Sequence, residues 1–139
     1  MYQNILVPVD LAHLDRMAKT LNTAIDMAKH YGARLCYVTV TNSTPGAAAH
    51  NPKELADKLK EFADEQGKSH GIQTYAKVLE SVDTAVELDD KLLGAIKDTS
   101  TDLVVMASHS PGIGDALHLL RSNAAEIVKH SNISVFVVR

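Results

Sequence analysis

Three stretches of this 139-residue chain hold residues whose types and spacing could do chemistry. Asp10 closes the apolar run Asn4-Ile-Leu-Val-Pro-Val-Asp10, so a carboxylate stands where a buried strand would end. Ser108-His-Ser-Pro-Gly-Ile-Gly114 follows a second apolar run, Asp102-Leu-Val-Val-Met-Ala107, and gathers hydroxyls, an imidazole and glycine backbone into one loop. Arg121, Ser122 and Asn123 then stand at the start of a helical stretch, where free amides and the helix dipole favour an anion. In an open α/β sheet, ligands lie outside the carboxyl ends of the strands, so Asp10 and the 108–114 loop mark one crevice. Asp10 and His109 could meet there as acid and base. Asp10 would serve equally well as a cap for the helix that follows, or as an acceptor for loop amides.

Several other chemistries find no support in the spacing. No Gly-x4-Gly-Lys-Ser/Thr occurs, and Gly112-Ile-Gly114 begins a dinucleotide fingerprint that Leu117 breaks at the third glycine. Gly-x-Ser-x-Gly is missing, so no nucleophile comes with an identifiable base, and no residue is assigned a catalytic role. Seven histidines invite a metal reading, yet none shows a ligand spacing such as His-Glu-x-x-His. Solvated helix histidines describe them better, with His109 kept apart because it lies in the candidate loop; no metal site is expected. Cys36 lies inside the apolar run Leu35–Val40 and reads as a small buried hydrophobe.

The elements that must position these residues follow from periodicity. Met17, Ala18, Leu21, Ile25 and Ala28 recur at helical spacing, which predicts a first helix over about 15–31 ending at Gly32. Arg34–Val40 is the second strand, followed by the polar stretch Thr41–His50. Asn51-Pro52-Lys53-Glu54 carries the marks of a helix start, and Gly67 or Gly71 closes that helix. Ile72–Val78 alternates polar and apolar positions, as an edge strand does, whereas the other four strands read as continuous apolar runs. Asp83, Thr84 and Glu87 offer caps for a third helix, and a fourth ends at His130 before the strand Ile133–Val138. Five strands alternating with four helices specify one α/β domain over 1–139, a parallel sheet with right-handed crossovers and helices on both faces.

The formal charge of −3 offers no basic stripe for a phosphate backbone, so nucleic acid is not an expected partner. No apolar run approaches the ~20 residues of a membrane helix, and the first residues lack a basic segment before an apolar one; a cytoplasmic protein is expected.

Taken together, Asn4-Ile-Leu-Val-Pro-Val-Asp10, Val104-Val-Met-Ala-Ser-His109, Arg121-Ser-Asn-Ala-Ala-Glu-Ile-Val-Lys-His130 and Ser134-Val-Phe-Val-Val-Arg139 resemble the universal stress protein family over the whole chain. The resemblance implies a Rossmann-like fold of the adenine nucleotide alpha hydrolase kind, with strand order 3-2-1-4-5. It implies ATP, or another adenine nucleotide, in the crevice between strands one and four, with Mg2+ entering only alongside ATP. Asp10 would contact the ribose and backbone at Val40, Met106 and Ala107 adenine, with Pro8 and Val9 also in the binding site. His109, Ser110, Gly112, Gly114, Arg121, Ser122 and Asn123 would hold the phosphates. The family's Gly-x2-Gly-x9-Gly-Ser/Thr is altered here. Ala107, Ser110 and Arg121 replace its three glycines and one residue is added, while Ser122 is kept. Gly112 and Gly114 offer flexibility from shifted positions, and Arg121 adds a positive charge.

The expected function is that of a stress-response regulator that binds an adenine nucleotide, hydrolyses it slowly at most, and acts through protein partners. A nucleotide-free dimerisation module of the same family is the alternative. Ile133–Val138 reads as buried on both faces, yet the family's strand order puts it at the sheet edge. A homodimer pairing these strands would resolve that conflict; shielding by the last helix and the C-terminus is the competing expectation.

Overall fold

The structure, a computed structural model, describes residues 1–41, 52–81, 84–107 and 124–139. In chain order the elements are β1 (Asn4–Pro8), a 3-10 segment (Leu11–Met17), α1 (Ala18–Tyr31), β2 (Arg34–Thr41), α2 (Pro52–His70), β3 (Thr74–Glu80), α3 (Thr84–Asp98), β4 (Leu103–Ala107), α4 (Ala124–His130) and β5 (Ser134–Val138). The strands form one parallel sheet in the order 3-2-1-4-5. Right-handed crossovers in that order place α1 and α2 on one face and α3 and α4 on the other. No helix among the described residues is long and apolar enough to cross a membrane.

The central strands are apolar because both of their faces are covered. Ile5, Leu6 and Val7 of β1, Leu35 to Val38 of β2 and Leu103 to Met106 of β4 are all buried. Helix α1 contributes Leu21, Ala24, Ile25 and Ala28 to this core, α2 contributes Leu55, Leu59 and Ala63, and α3 contributes Leu92, Ala95 and Ile96. Strand β3 is the mixed-polarity edge that its alternation predicts, hydrogen-bonded among the described residues only to β2, along seven register pairs. Its span lies two residues later than Ile72–Val78, because Gly71 takes a left-handed φ of 66° and Ile72-Gln73 complete the turn out of α2.

Two expectations need correction and one alternative is settled. The first helix does not begin near Asp15: residues 11–17 form a 3-10 segment interrupted at His13 (φ −135°, ψ 37°), and α1 starts at Ala18. The end holds as expected, with Gly32 at φ 65° donating its amide to the Ala28 carbonyl. Helix α2 closes at Gly71, while Gly67 stays inside it against β3, where an added Cβ would meet Thr74 Oγ1 at 2.5 Å. Strand β5 is not buried on both faces. Val138 is, but Phe136 is 43% and Val137 45% exposed; among the described residues β5 pairs with β4 alone.

The sheet is locked at one end and open at the other. Asp102 accepts the Gln3 amide at 2.9 Å and the Asn4 amide at 3.0 Å, and its own amide donates to the Asn4 carbonyl at 3.0 Å. This fastens the entrances of β1 and β4 together. Their register pairing then stops after Ile5↔Leu103 and Leu6↔Val104, whereas β1 pairs with β2 through Pro8↔Val38 and β4 with β5 through Ala107↔Val138.

Candidate functional site

Beyond Leu6 and Val104, the two central strands each pair only with their outer neighbours. Val9, just past Pro8, continues the bias by donating its amide to the Val38 carbonyl at 2.8 Å, on the β2 side. The consequence is a crevice between the carboxyl ends of β1 and β4, at the point where the strand order reverses. This is where an open α/β sheet places a ligand. Pro8 belongs at this end of the strand because it has no amide to offer a ladder.

The described candidates fall around that mouth. Pro8 and Val9 are buried in the floor, Met106 is buried at the end of β4, and Ala107 and Val40 are half-buried at the ends of β4 and β2. Asp10 leaves β1 at the rim. His109, Ser110, Gly112, Gly114, Arg121, Ser122 and Asn123, and with them the whole altered glycine motif beyond Ala107, lie outside the described residues.

Asp10 is held from three sides. Its extended backbone (φ −113°, ψ 105°) caps the 3-10 segment, with Oδ1 accepting the Ala12 amide at 3.0 Å. Its amide donates to Met17 Sδ at 3.4 Å, which draws the far end of the same segment beneath it. Its Oδ2 lies 2.8 Å from His13 Nδ1, so a carboxylate and an imidazole face each other across one turn. The cap reading of Asp10 is therefore the geometry found, although what it caps is the 3-10 segment rather than α1.

His13 is the residue that spacing missed. It is half-buried and hydrogen-bonded, not a solvated helix histidine, because the break in the 3-10 segment occurs at its own φ and ψ. The signal available in the sequence was Asp10-Leu-Ala-His13, an acid and a histidine three residues apart just past a strand end. The reading in which His109 could meet Asp10 lies outside the described residues.

Chemically, the rim offers acceptance. Ala12 and His13 occupy one direction at each carboxylate oxygen, and each oxygen retains lone-pair capacity for a further donor. Among the described residues, no group of three or more His, Cys, Asp or Glu side chains could hold a metal ion. A separate concavity of about 520 Å3 lies between the 3-10 segment and α2, lined by Leu11, Ala12, Leu14, Lys58, Glu61, Phe62 and Glu65. It contains none of the residues singled out by spacing. Cys36 is buried in β2, where burial pushes its thiol up to about 11, consistent with a packing role.

Comparison with known proteins places this geometry in context. The sequence profile of the universal stress protein family matches residues 1–139. Universal stress protein G of Salmonella typhimurium is 27% identical over 150 residues, covering 100% of both chains. Among solved structures, the universal stress protein from Archaeoglobus fulgidus in complex with dAMP superposes with a TM-score of 0.67 at 18% identity, covering 99% of this chain and 98% of that one. A universal stress protein in complex with cAMP gives 0.64 at 19% identity, with 99% and 97% covered.

Proposed function

The chain belongs to the universal stress protein family, and from that premise we propose that it binds an adenine nucleotide in the crevice between the carboxyl ends of β1 and β4. The observation that carries the reading is the loss of β1–β4 pairing after Leu6 and Val104, with the Asp10 carboxylate at the rim. An opening of this kind admits a flat base between strand ends. A carboxylate with lone pairs to spare accepts sugar hydroxyls. The complexes of similar folds with dAMP and cAMP support adenine as the base. Backbone at the ends of β2 and β4, at Val40, Met106 and Ala107, would recognise its edge. ATP is the expected form, with the phosphates assigned from the sequence to Arg121, Ser122 and Asn123. Binding rather than turnover is the activity proposed, since binding alone does not orient a hydrolytic water.

The test is calorimetry on protein stripped of nucleotide. ATP should give saturable heat that weakens in Asp10→Ala and in Arg121→Glu. Heat equal to buffer dilution refutes the reading.

A second part of the proposal concerns assembly. Strand β5 ends the sheet with its outer amides unpaired by β4, and Phe136 and Val137 stand exposed on it, with Val128 of α4 57% exposed beside this edge of the fold. Such an edge is a template for another strand. A twofold pairing of β5 with β5 covers these groups, so the protein acts as a homodimeric stress-response regulator.

A further inference from the structure

The three contacts of Asp10 carry one step beyond the nucleotide reading, and this step rests on that reading. A carboxylate oxygen only accepts, so in the 2.8 Å contact the hydrogen belongs to His13 Nδ1, and Oδ1 likewise takes the Ala12 amide hydrogen at 3.0 Å. Two donors, one on each oxygen, fix the plane of the carboxylate. Neither remaining contact could do so alone, because a single bond at Oδ1 leaves rotation about the terminal torsion, which is broad for Asp. His13 reaches this position through its own non-helical backbone inside the 3-10 segment, and its amide also donates to the Asp10 carbonyl at 3.0 Å. The side chain of Asp10 keeps 12% of its surface open, so only a narrow aspect of the carboxylate faces outward.

We propose that His13 is a positioning residue that makes the crevice selective for ribose over deoxyribose. With the carboxylate plane fixed, each of its two oxygens keeps an acceptor direction of its own. A vicinal diol supplies two hydroxyl donors, one for each oxygen. A 2′-deoxy sugar supplies one and leaves the other oxygen unmatched in a largely covered place. Sites built to hydrogen-bond a hydroxyl discriminate strongly against an analogue that lacks it. Without His13 the carboxylate turns to suit a single hydroxyl as readily as two, and the preference fades.

The experiment is titration of ATP and 2′-deoxyATP into the stripped wild-type protein, His13→Leu and His13→Asn, with thermal melts to compare folding. Asn places an amide hydrogen near the position of Nδ1–H. The wild type should prefer ATP by about tenfold, in line with one charge-assisted hydrogen bond. His13→Leu should lose most of that ratio, chiefly by weakened ATP binding, and His13→Asn should recover it. If His13→Leu does not fold, His13→Gln, whose amide falls near Nε2 and misses Oδ2, takes its place with the same expectation. An unchanged ratio in the folded Leu or Gln variant overturns the role of His13 alone. A wild type that binds both nucleotides equally overturns it too and leaves the nucleotide reading intact. A wild type that binds neither removes the nucleotide reading and this proposal together.

Discussion

Asp10 has a structural and a ligand-facing use, and substitutions separate them. Asp10→Ala removes the acceptor for the Ala12 amide, and loss of such a cap should lower stability by about 1 kcal/mol. Asp10→Asn keeps a carbonyl oxygen for Ala12 and should stay within about 0.5 kcal/mol of wild type in urea unfolding, while still losing nucleotide affinity. Equal stability of wild type and Asp10→Ala would show that the cap contributes nothing. Tyr37 gives a pH prediction. Its ring is buried edge-on to Phe62 at 5.0 Å, its hydroxyl has no hydrogen-bond partner among the described residues, and burial pushes its phenol up to about 12. A raised folded value means that the un-ionised form is favoured in the fold. This contribution is fully present below pH 10, the ordinary phenol value, and is lost as pH rises to about 12. Tyr37→Phe should therefore match or exceed wild-type stability at pH 7, and its alkaline unfolding should begin at higher pH. A Phe variant that unfolds earlier in base contradicts this account of the orphaned hydroxyl.

At the scale of elements, the turn from α2 to β3 concentrates two glycines with different reasons to be glycine. Gly71 sits at φ 66° with open space around it, so Ala there meets only backbone strain, about 1 kcal/mol. Gly67 is helical, and Ala would gain up to about 1 kcal/mol in helix propensity. Its Cβ, however, would meet Thr74 Oγ1 at 2.5 Å and the Ile72 carbonyl at 3.1 Å, and Thr74 is tied to the Ala63 carbonyl. The clash outweighs the propensity. Gly67→Ala should lower the melting temperature, and adding Thr74→Ala should return part of the loss. A stabilised Gly67→Ala would mean that β3 moves away freely. The same logic of competing neighbours shapes the site: β1 leaves β4 because Pro8 and Val9 follow β2, so the crevice arises from pairing preferences and not from a cavity in the core.

For the whole molecule, the exposed β5 edge sets the expectation for mass. Light scattering at micromolar concentration should give twice 15.0 kDa. Phe136→Lys and Val137→Lys, at exposed positions of the edge, should give monomers with little loss of fold stability, since neither side chain is part of the buried core. Wild-type protein of 15.0 kDa under those conditions rules out the pairing. A dimer that both lysine variants leave intact places the interface elsewhere.

Local pattern was enough for much of this protein. Apolar runs of strand length, helical recurrence in α1 and α2, the alternation of β3 and the glycines at 32 and 71 each depend on residues a few positions apart, so they are legible in one dimension. The resemblance in the terminal motifs supplied the strand order, which periodicity does not encode. Three-dimensional neighbours decided the rest. The helical spacing from Asp15 could not reveal the 3-10 segment, because the break is set by Asp10 capturing Ala12, His13 and Met17 together. Among the described residues, the imidazole beside Asp10 comes from three residues away, and the His109 reading lies outside them. The apolar run of β5 looked buried because composition records what a residue avoids, whereas exposure depends on what covers it in space, and among the described residues β5 pairs with β4 alone.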